Sequence, residues 1–342
     1  MLFDCMISRN LKSRNLKTLI AAAVFAGIAI GCSSPGNKAQ NFAFEIAKKF
    51  ESKSAAKIPA GSRIVCAEQK GSRVLICDAS ISDWNKEGAI LWEWSPSSDT
   101  AIAPEHRKWF NCLSEVKPVK NATAILVTAS GGGVALVDIK KNKASFYAFD
   151  SGNMHSACLL PDGNIVTASS DGDHICLFDI KNGCPSPESA KKKIYYLKYA
   201  HAVVWDKKRE LLWAMGLDEI AAFKYAQEPE PILEKVDSIP LSGAAYNGHD
   251  LCAVQGLDLL FMTGEGLSIF DPDERKIYFS ADIEKLKSIS MNNGAVIVMR
   301  ADESWWSQSI RLAGAGMLPA GTLKGARFYK ARWLVPDHFS GN

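Results

Sequence analysis

Three histidines recur at the same place in three repeated segments of the sequence. His155, His201 and His249 each precede an apolar strand, a polar turn and a second apolar strand. Counted along the chain, these histidines are 46 and 48 residues apart. In the preceding segment the same position is predicted to hold Glu115. If the segments are equivalent units of a ring, the three imidazoles and the carboxylate converge on its axis.

Such a group of side chains has three interpretations. Neutral imidazole is a good ligand for Mn, Fe, Ni or Zn, so His155, His201 and His249 are a candidate divalent-metal site that activates water or polarises a substrate carboxylate. Without a metal, the same histidines could act as general acid and base or hydrogen-bond a sugar. In the third interpretation they only satisfy backbone groups where each unit begins. The residues alone leave the three interpretations open.

Three basic residues near the C-terminus form a second candidate site. Arg327, Lys330 and Arg332 alternate along the last predicted strand, so they share one face and could contact an anionic ligand. A solvated sheet edge would show the same alternation. No specific catalytic signature such as G-x-S-x-G or H-E-x-x-H is present, so the sequence does not decide whether the protein is an enzyme.

The elements that must position these residues are short strands in a repeated order. From residue 63 onward, apolar runs of strand length alternate with turn signals such as Pro161-Asp-Gly-Asn164. A period of about 40 to 50 residues with four strands per unit is typical of a β-propeller. We therefore predict an all-β, six-bladed β-propeller, with units that begin near Arg63, Glu115, His155, His201, His249 and Ser288.

Several motifs carry a resemblance to a known family. They are Trp92-Glu-Trp-Ser-Pro96, His155-Ser-Ala157 with Leu160-Pro-Asp-Gly-Asn164, Gly248-His-Asp-Leu251 and the closing Phe328-Tyr-Lys-Ala-Arg-Trp333. Together they resemble a family of secreted bacterial six-bladed β-propellers, some of them lipoproteins, over roughly residues 60–335. The resemblance implies a propeller fold and an envelope location. It implies no reaction, so it assigns no catalytic residue.

The N-terminus predicts export. A basic stretch is followed by an apolar run over 19–31 that is too short to span a bilayer and ends in small residues, as a signal peptide does. Cys32 lies where the lipid-modified cysteine of a bacterial lipoprotein would, although Ala29 replaces the usual leucine. We predict a signal peptide over 1–31, a tether and short amphipathic helix over 32–60, the propeller over 61–335 and a tail over 336–342.

Charge and cysteine content exclude other classes. Without the first 32 residues, the chain has 36 basic and 36 acidic side chains, so it lacks the excess positive charge of a nucleic-acid-binding protein. The seven cysteines after Cys32 are odd in number and form no C-x-x-C pair, which argues against a disulfide framework and a structural zinc site. Most lie in apolar runs, as buried thiols do.

These observations predict a periplasmic or cell-surface lipoprotein, held to the membrane by its lipid anchor only. Its propeller is expected to bind a small, saccharide-derived ligand at a histidine-lined channel mouth, with metal-assisted lyase or hydrolase activity as the chemistry. The alternative is a non-catalytic propeller scaffold that binds protein partners in an envelope complex. A polar pocket that contains the histidines would favour the first class, and an apolar rim would favour the second.

Overall fold

A computed structural model describes residues 37–54, 56–180, 187–314 and 316–341 of the chain. Within these residues, one α-helix precedes 24 strands that form six four-stranded antiparallel sheets. The sheets are the blades of a six-bladed β-propeller, which confirms the predicted fold. The predicted signal peptide and Cys32 lie outside the described residues.

Each blade consists of strands that follow one another in the chain, except for one strand of blade 1. The strands of each blade are given from the channel outward. Blade 1 contains β24 (Phe328–Trp333), β1 (Arg63–Glu68), β2 (Arg73–Asp78) and β3 (Ile90–Trp94), blade 2 contains β4 (Leu113–Val119), β5 (Ala124–Ala129), β6 (Gly133–Asp138) and β7 (Lys143–Phe149), and blade 3 contains β8 (Met154–Leu159), β9 (Ile165–Ser169), β10 (His174–Phe178) and β11 (Lys192–Tyr196). Blade 4 contains β12 (Ala202–Asp206), β13 (Leu211–Met215), β14 (Glu219–Ala226) and β15 (Ile232–Pro240), blade 5 contains β16 (Asp250–Ala253), β17 (Leu260–Thr263), β18 (Leu267–Asp271) and β19 (Lys276–Ala281), and blade 6 contains β20 (Leu286–Asn292), β21 (Ala295–Arg300), β22 (Ser309–Leu312) and β23 (Pro319–Thr322). Short 3₁₀ helices lie at Pro104–Phe110, Pro187–Ser189 and Gly243–Ala245.

The core is divided among the spaces between neighbouring blades. Along β5, Ile125 and Val127 pack toward blade 1, whereas Leu126 packs toward blade 3. Because successive side chains of a strand point to opposite faces, a blade with a neighbour on each side needs apolar residues at every position. This requirement explains the continuous apolar runs in the sequence. Six apolar clusters result, one for each pair of adjacent blades.

The ring closes by pairing the last strand with the first. In blade 1, Val65 pairs with Arg332 and Cys66 with Ala331, so β24 is the innermost strand of that blade. Five predicted unit starts, from Glu115 to Ser288, fall on or beside the innermost strands of their blades. Arg63 instead begins the second strand of blade 1, because the innermost strand comes from the other end of the chain.

The helix and the tail both pack against the propeller. The helix α1 (Lys38–Glu51) buries Ala39, Ala43 and Ile46 against blades 5 and 6. No helix in the described part of the chain has the length and apolar character needed to cross a membrane. After β24, the tail leaves blade 1, and the Lys207 amide in blade 4 donates a hydrogen bond to the Phe339 carbonyl at 3.1 Å. Since blades 1 and 4 face each other, the tail crosses one end of the channel.

Six cysteines in the described residues are free. Cys66, Cys77, Cys158 and Cys176 are buried, as predicted, whereas Cys252 is partly exposed and Cys112 is exposed. Burial raises the pKa of the Cys158 thiol to about 12, so this thiol remains protonated and unreactive at neutral pH. The four buried cysteines pack as small apolar side chains.

Candidate functional site

Four of the six innermost strands, β4, β8, β20 and β24, begin with a β-bulge that shifts the register of their side chains. In blade 3 the register shifts between Met154 and Ser156, so His155 is an extra residue without a partner of its own. The same shift occurs at Ser114 in blade 2 and at Lys287 in blade 6. The residues at this position in the six blades form the histidine layer, which consists of Ser114, His155, His201, His249, Lys287 and Tyr329.

Two further layers follow along the channel. The next residue of each innermost strand belongs to the middle layer, which consists of Glu115, Ser156, Ala202, Asp250, Ser288 and Lys330. Two residues later comes the tail-side layer, which consists of Lys117, Cys158, Val204, Cys252, Ser290 and Arg332. We expected Glu115 to share the position of the histidines, but Ser114 does, and Glu115 corresponds to Ser156. The bulge displaces the register by one residue, and simple alternation does not show it.

The apolar residues three positions after the histidines lie in the packing between blades, as alternation predicts. Cys158 packs between blades 3 and 4, Val204 packs between blades 4 and 5, and Cys252 packs against the cluster between blades 5 and 6. Val204 and Cys252 also line a cavity at the tail-side end of the channel, beside Lys117 and Arg332.

The structure brings the three histidines together. The rings of His155 and His201 stack with centroids 4.4 Å apart, and the ring of His249 meets His201 edge to face at 5.0 Å. A 2.9 Å hydrogen bond joins His155 Nδ1 to the Tyr329 hydroxyl. His201 Nδ1 donates to the Tyr199 carbonyl at 3.0 Å. These contacts fix the orientations of two of the three rings.

Burial keeps the three imidazoles neutral. Only 8% of His155 and 1% of His201 is exposed to solvent, and His249 is partly exposed. Burial, with the nearby Lys330 and Lys287 charges, lowers the pKa of His201 to about 3. Burial likewise holds the pKa values of His155 and His249 well below their ordinary value, and neighbouring histidines and lysines lower them further. At neutral pH the layer therefore presents uncharged rings.

Lys287 supplies a positive charge at this layer. Its Nζ donates a hydrogen bond to His249 Nε2 at 3.0 Å. Burial and the charge of Lys330 lower the pKa of Lys287 to about 8. In the described part of the chain, no carboxylate lies within 4 Å of its Nζ. The buried Nδ1 of His249 has no hydrogen-bond partner. His249 and Lys287 thus have binding capacity that the fold does not use.

An ion cluster closes the channel beneath the histidine layer. It consists of Glu115, Asp250, Lys330 and Arg332, all of which are buried. Lys330 Nζ lies 3.3 Å from Glu115 Oε2 and 3.2 Å from Asp250 Oδ1, and the guanidinium of Arg332 pairs with both carboxylates. Burial opposes ionisation of Glu115, but Arg332 and Lys330 outweigh it and lower the pKa of this carboxyl. The channel is therefore not an open pore.

The remaining predicted site residues lie elsewhere. The side chain of Arg327 is exposed and its guanidinium lies over the Trp306 ring, 5.0 Å from the centroid, so Arg327 does not share a face with Lys330 and Arg332. It precedes β24, and the alternation of the strand does not extend to it. Sequence reasoning missed Lys287, Tyr329 and Asp250. Aligning the units on the apolar residue two positions after each histidine would have found them.

The histidine layer does not fit a divalent metal. The Nδ1 atoms of His155 and His201 are already hydrogen-bonded, and the Lys287 ammonium occupies Nε2 of His249. A metal ion there would also be repelled by this ammonium group. Among the described residues, no three His, Cys, Asp or Glu side chains are arranged to hold a metal ion. The metal prediction for His155, His201 and His249 is therefore not supported by the geometry.

Comparison with known families establishes the family of the chain. Residues 16–342 match the model described as "Family of unknown function (DUF6528)". No curated protein matches the chain in sequence. Among solved structures, the chain is similar to a protein of unknown function from Bacteroides caccae, with 11% identity and a TM-score of 0.49 over 80% of this chain and 98% of that one.

Two further solved structures are similar. Kuenenia stuttgartiensis hydrazine synthase has 13% identity and a TM-score of 0.43 over 60% of this chain and 65% of that one. Dihydro-heme d1 dehydrogenase NirN, in complex with DHE, has 14% identity and a TM-score of 0.44 over 79% of this chain and 55% of that one. The chain thus spans about two thirds or less of these two proteins. At such identities and TM-scores, these likenesses carry no argument about the chain.

Proposed function

The chain belongs to the DUF6528 family, whose function is unknown, and we propose that it binds a small, anionic, saccharide-derived ligand at the histidine layer. The observation that carries the proposal is the Lys287 ammonium, which donates a hydrogen bond to the neutral His249 ring and has no carboxylate partner among the residues that the structure describes. A positive charge held this way at a channel end attracts an anion such as the carboxylate of a uronic acid.

The neighbouring groups suit the rest of such a ligand. The ring of His249 is partly exposed and its buried Nδ1 has no hydrogen-bond partner, so a small shift of the ring would let Nδ1 hydrogen-bond a sugar hydroxyl. Tyr199 is partly exposed and its ring lies 4.3 Å from His201, so it offers an aromatic face beside the layer. The stacked rings of His155 and His201 lie beside these groups.

Lyase chemistry is the reaction that this site supports best. With a pKa of about 8, a fraction of Lys287 is uncharged at neutral pH and can accept a proton. In a uronate, the uncharged fraction of Lys287 would take the proton from the carbon next to the carboxylate, and the ammonium group so formed would pair with the negative charge that develops there. A C=C bond then forms and the C–O bond to the leaving sugar breaks, with its electron pair going to the oxygen, which takes a proton from water. Hydrolysis by two carboxylates is less suited, because the histidine layer contains no carboxylate.

The test compares glucuronate with glucose by isothermal titration. We expect glucuronate to bind and glucose to bind at least about tenfold more weakly, since charge-assisted hydrogen bonds are the stronger ones. Lys287→Met should remove this preference, and the exposed neighbour provides the matched control Lys285→Met. Equal binding of both sugars, or an unchanged preference in Lys287→Met, would contradict the proposal. Lyase activity would appear as ultraviolet absorbance of the new C=C bond on incubation with polyuronates.

We also propose that the protein is exported and anchored through Cys32. The basic, apolar and small-residue order before Cys32 supports this proposal. Mass spectrometry of the native protein should show an acylated N-terminal cysteine, and Cys32→Ser should abolish the acyl group. An unmodified N-terminus at Cys32 or Ser33 would exclude the anchor but not secretion.

The scaffold alternative is favoured by one observation on blade 3. Ile194 and Tyr196 share a face of the outer strand β11, where they are 56% and 69% exposed. Exposed apolar side chains on an edge strand can bind a protein partner. Under this alternative, cross-linking in the native envelope should join the protein to a partner. The cross-linked products should be absent in the Ile194→Ser, Tyr196→Ser double variant and present in Lys287→Met. The reverse outcome would favour the ligand site.

A further inference from the structure

A second cavity lies at the other end of the channel, beyond the ion cluster. This tail-side cavity has a volume of about 150 Å³ and is bordered by the tail-side layer and the C-terminal tail. Its apolar walls are Leu251, Val254, Leu257, Met291, Trp333 and Phe339. The tail crosses this end of the channel between blades 1 and 4 and forms one side of the cavity. The cavity is therefore shaped for the body of a small apolar group.

The polar groups at its base are cationic. Arg332 uses its two terminal nitrogens on Glu115 and Asp250, but its buried Nε has no hydrogen-bond partner. Lys117 Nζ donates to the Val203 carbonyl at 2.8 Å and, among the described residues, has no carboxylate within 4 Å. Lys117 and Arg332 both line the cavity. Two donors on cationic side chains thus remain available at the base of an apolar space.

Two acids also line the cavity, and neither forms an ion pair with these cations. Asp258 pairs with Lys208 at 2.8 Å. Asp337 in the tail also lines the cavity, but its carboxylate accepts hydrogen bonds from the Phe339 amide at 3.1 Å and the Ser340 hydroxyl at 2.7 Å. Its role is to hold the turn of the tail. Asp337 weakens the positive potential in the cavity without pairing with Lys117 or Arg332.

We propose that the tail-side cavity binds a small carboxylate with a flat apolar body, whose carboxylate contacts Lys117 and Arg332 Nε. Cavities of about 150 Å³ with apolar walls accommodate a molecule the size of benzene. An aromatic or cyclic monocarboxylate places a ring of that size between Leu257, Trp333 and Phe339, with its charge at the base. The site is separate from the histidine layer, because the ion cluster lies between the two.

Benzoate is the probe for this proposal, with benzamide as its uncharged analogue and acetate as an anion without the ring. Saturation-transfer NMR and isothermal titration on the chain from Asn37 onward should show benzoate binding. Benzamide and acetate should each bind at least about tenfold more weakly, because benzamide lacks the negative charge and acetate lacks the apolar ring. Equal binding of benzoate and benzamide would overturn the assignment of a carboxylate ligand.

Four variants locate the site. Lys117→Met should weaken benzoate binding about tenfold or more, whereas the exposed Lys141→Met should not change it. Leu257→Trp fills the cavity and should abolish binding, which keeps the test valid if Lys117→Met folds poorly. Asp337→Asn keeps an acceptor for the tail but removes its negative charge, so it should strengthen binding. Benzoate binding that survives Leu257→Trp would overturn the proposal.

The same experiments separate this site from the histidine layer. Lys287→Met should leave benzoate binding unchanged, because Lys287 lies on the opposite side of the ion cluster. If Lys287→Met removes benzoate binding and Leu257→Trp does not, the carboxylate binds at the histidine layer. That result would refute this inference and leave the proposed function standing.

Discussion

Acidification from pH 7 to pH 5 should destabilise the protein through its neutral channel histidines. His201 has a pKa of about 3 in the folded protein and an ordinary value of about 6.5 when unfolded. Because the unfolded chain takes up a proton that the folded protein refuses, the free energy of unfolding falls as pH drops below about 6.5. For His201 alone, linkage gives a loss of about 2 kcal/mol at pH 5.

The other two histidines act in the same direction. His155 and His249 also have pKa values well below the ordinary one, so the three together cost at most about 6 kcal/mol at pH 5. That is a large part of the 5–15 kcal/mol by which domains are typically stable. Glu115 and Asp250 have lowered pKa values, so their contribution is present above about pH 4 and is lost only below it. The interval from pH 6.5 to pH 5 therefore isolates the histidines.

Urea unfolding at pH 7, 6 and 5 measures the effect. His201→Gln retains a donor for the Tyr199 carbonyl and should reduce the loss between pH 7 and pH 5 by about 2 kcal/mol. His174→Gln is the control of opposite sign, because Asp150 raises the pKa of His174. The contribution of His174 is complete below pH 6.5 and is lost as pH rises through its folded pKa, so removing it should steepen the acid loss. An unfolding free energy that is constant from pH 7 to pH 5 would refute the reasoning.

Further predictions concern the ion cluster and the closure of the ring. Glu115→Gln leaves Lys330 and Arg332 with one carboxylate between them and should cost about 3–5 kcal/mol in urea unfolding. Glu93→Gln, which breaks an exposed pair with Arg73, should cost about 1 kcal/mol or less. Deletion of 328–342 removes the innermost strand of blade 1 and should prevent folding, as judged by circular dichroism. Deletion of 336–342 alone should leave a folded propeller; loss of folding in that truncation would show that the tail is part of the ring.

The repeats predicted the blades because their signal is local. Each unit contains strands that pair with their neighbours in sequence, and both faces of each are apolar, so spacing and composition reveal them. Ring closure is different, because β24 and β1 are far apart in the sequence and no local pattern indicates that they pair. The pairing of Val65 with Arg332 connects residues at opposite ends of the propeller domain. For this reason the repeats predict that Arg63 begins a unit, although it begins the second strand of blade 1.

The composition of the channel was predicted less well than the blades. Alternation predicts faces only while the register is regular, and the bulges at His155 and Lys287 insert one residue into each strand. The three histidines were correctly placed at equivalent positions because the same residue type recurs there. Lys287 and Tyr329 hold the same position with other residue types, so the repeated pattern did not reveal them.

The ion cluster explains how one channel can hold two chemically different ends. Glu115 comes from blade 2, Asp250 from blade 5, and Lys330 and Arg332 from the strand that closes blade 1. Oppositely charged groups buried across the axis satisfy one another, so neither end of the channel must neutralise them. The charges that remain are Lys287 on one side and Lys117 on the other, and each lacks a carboxylate partner among the described residues. A ligand anion at either end would therefore complete a charge pair that the fold itself leaves open.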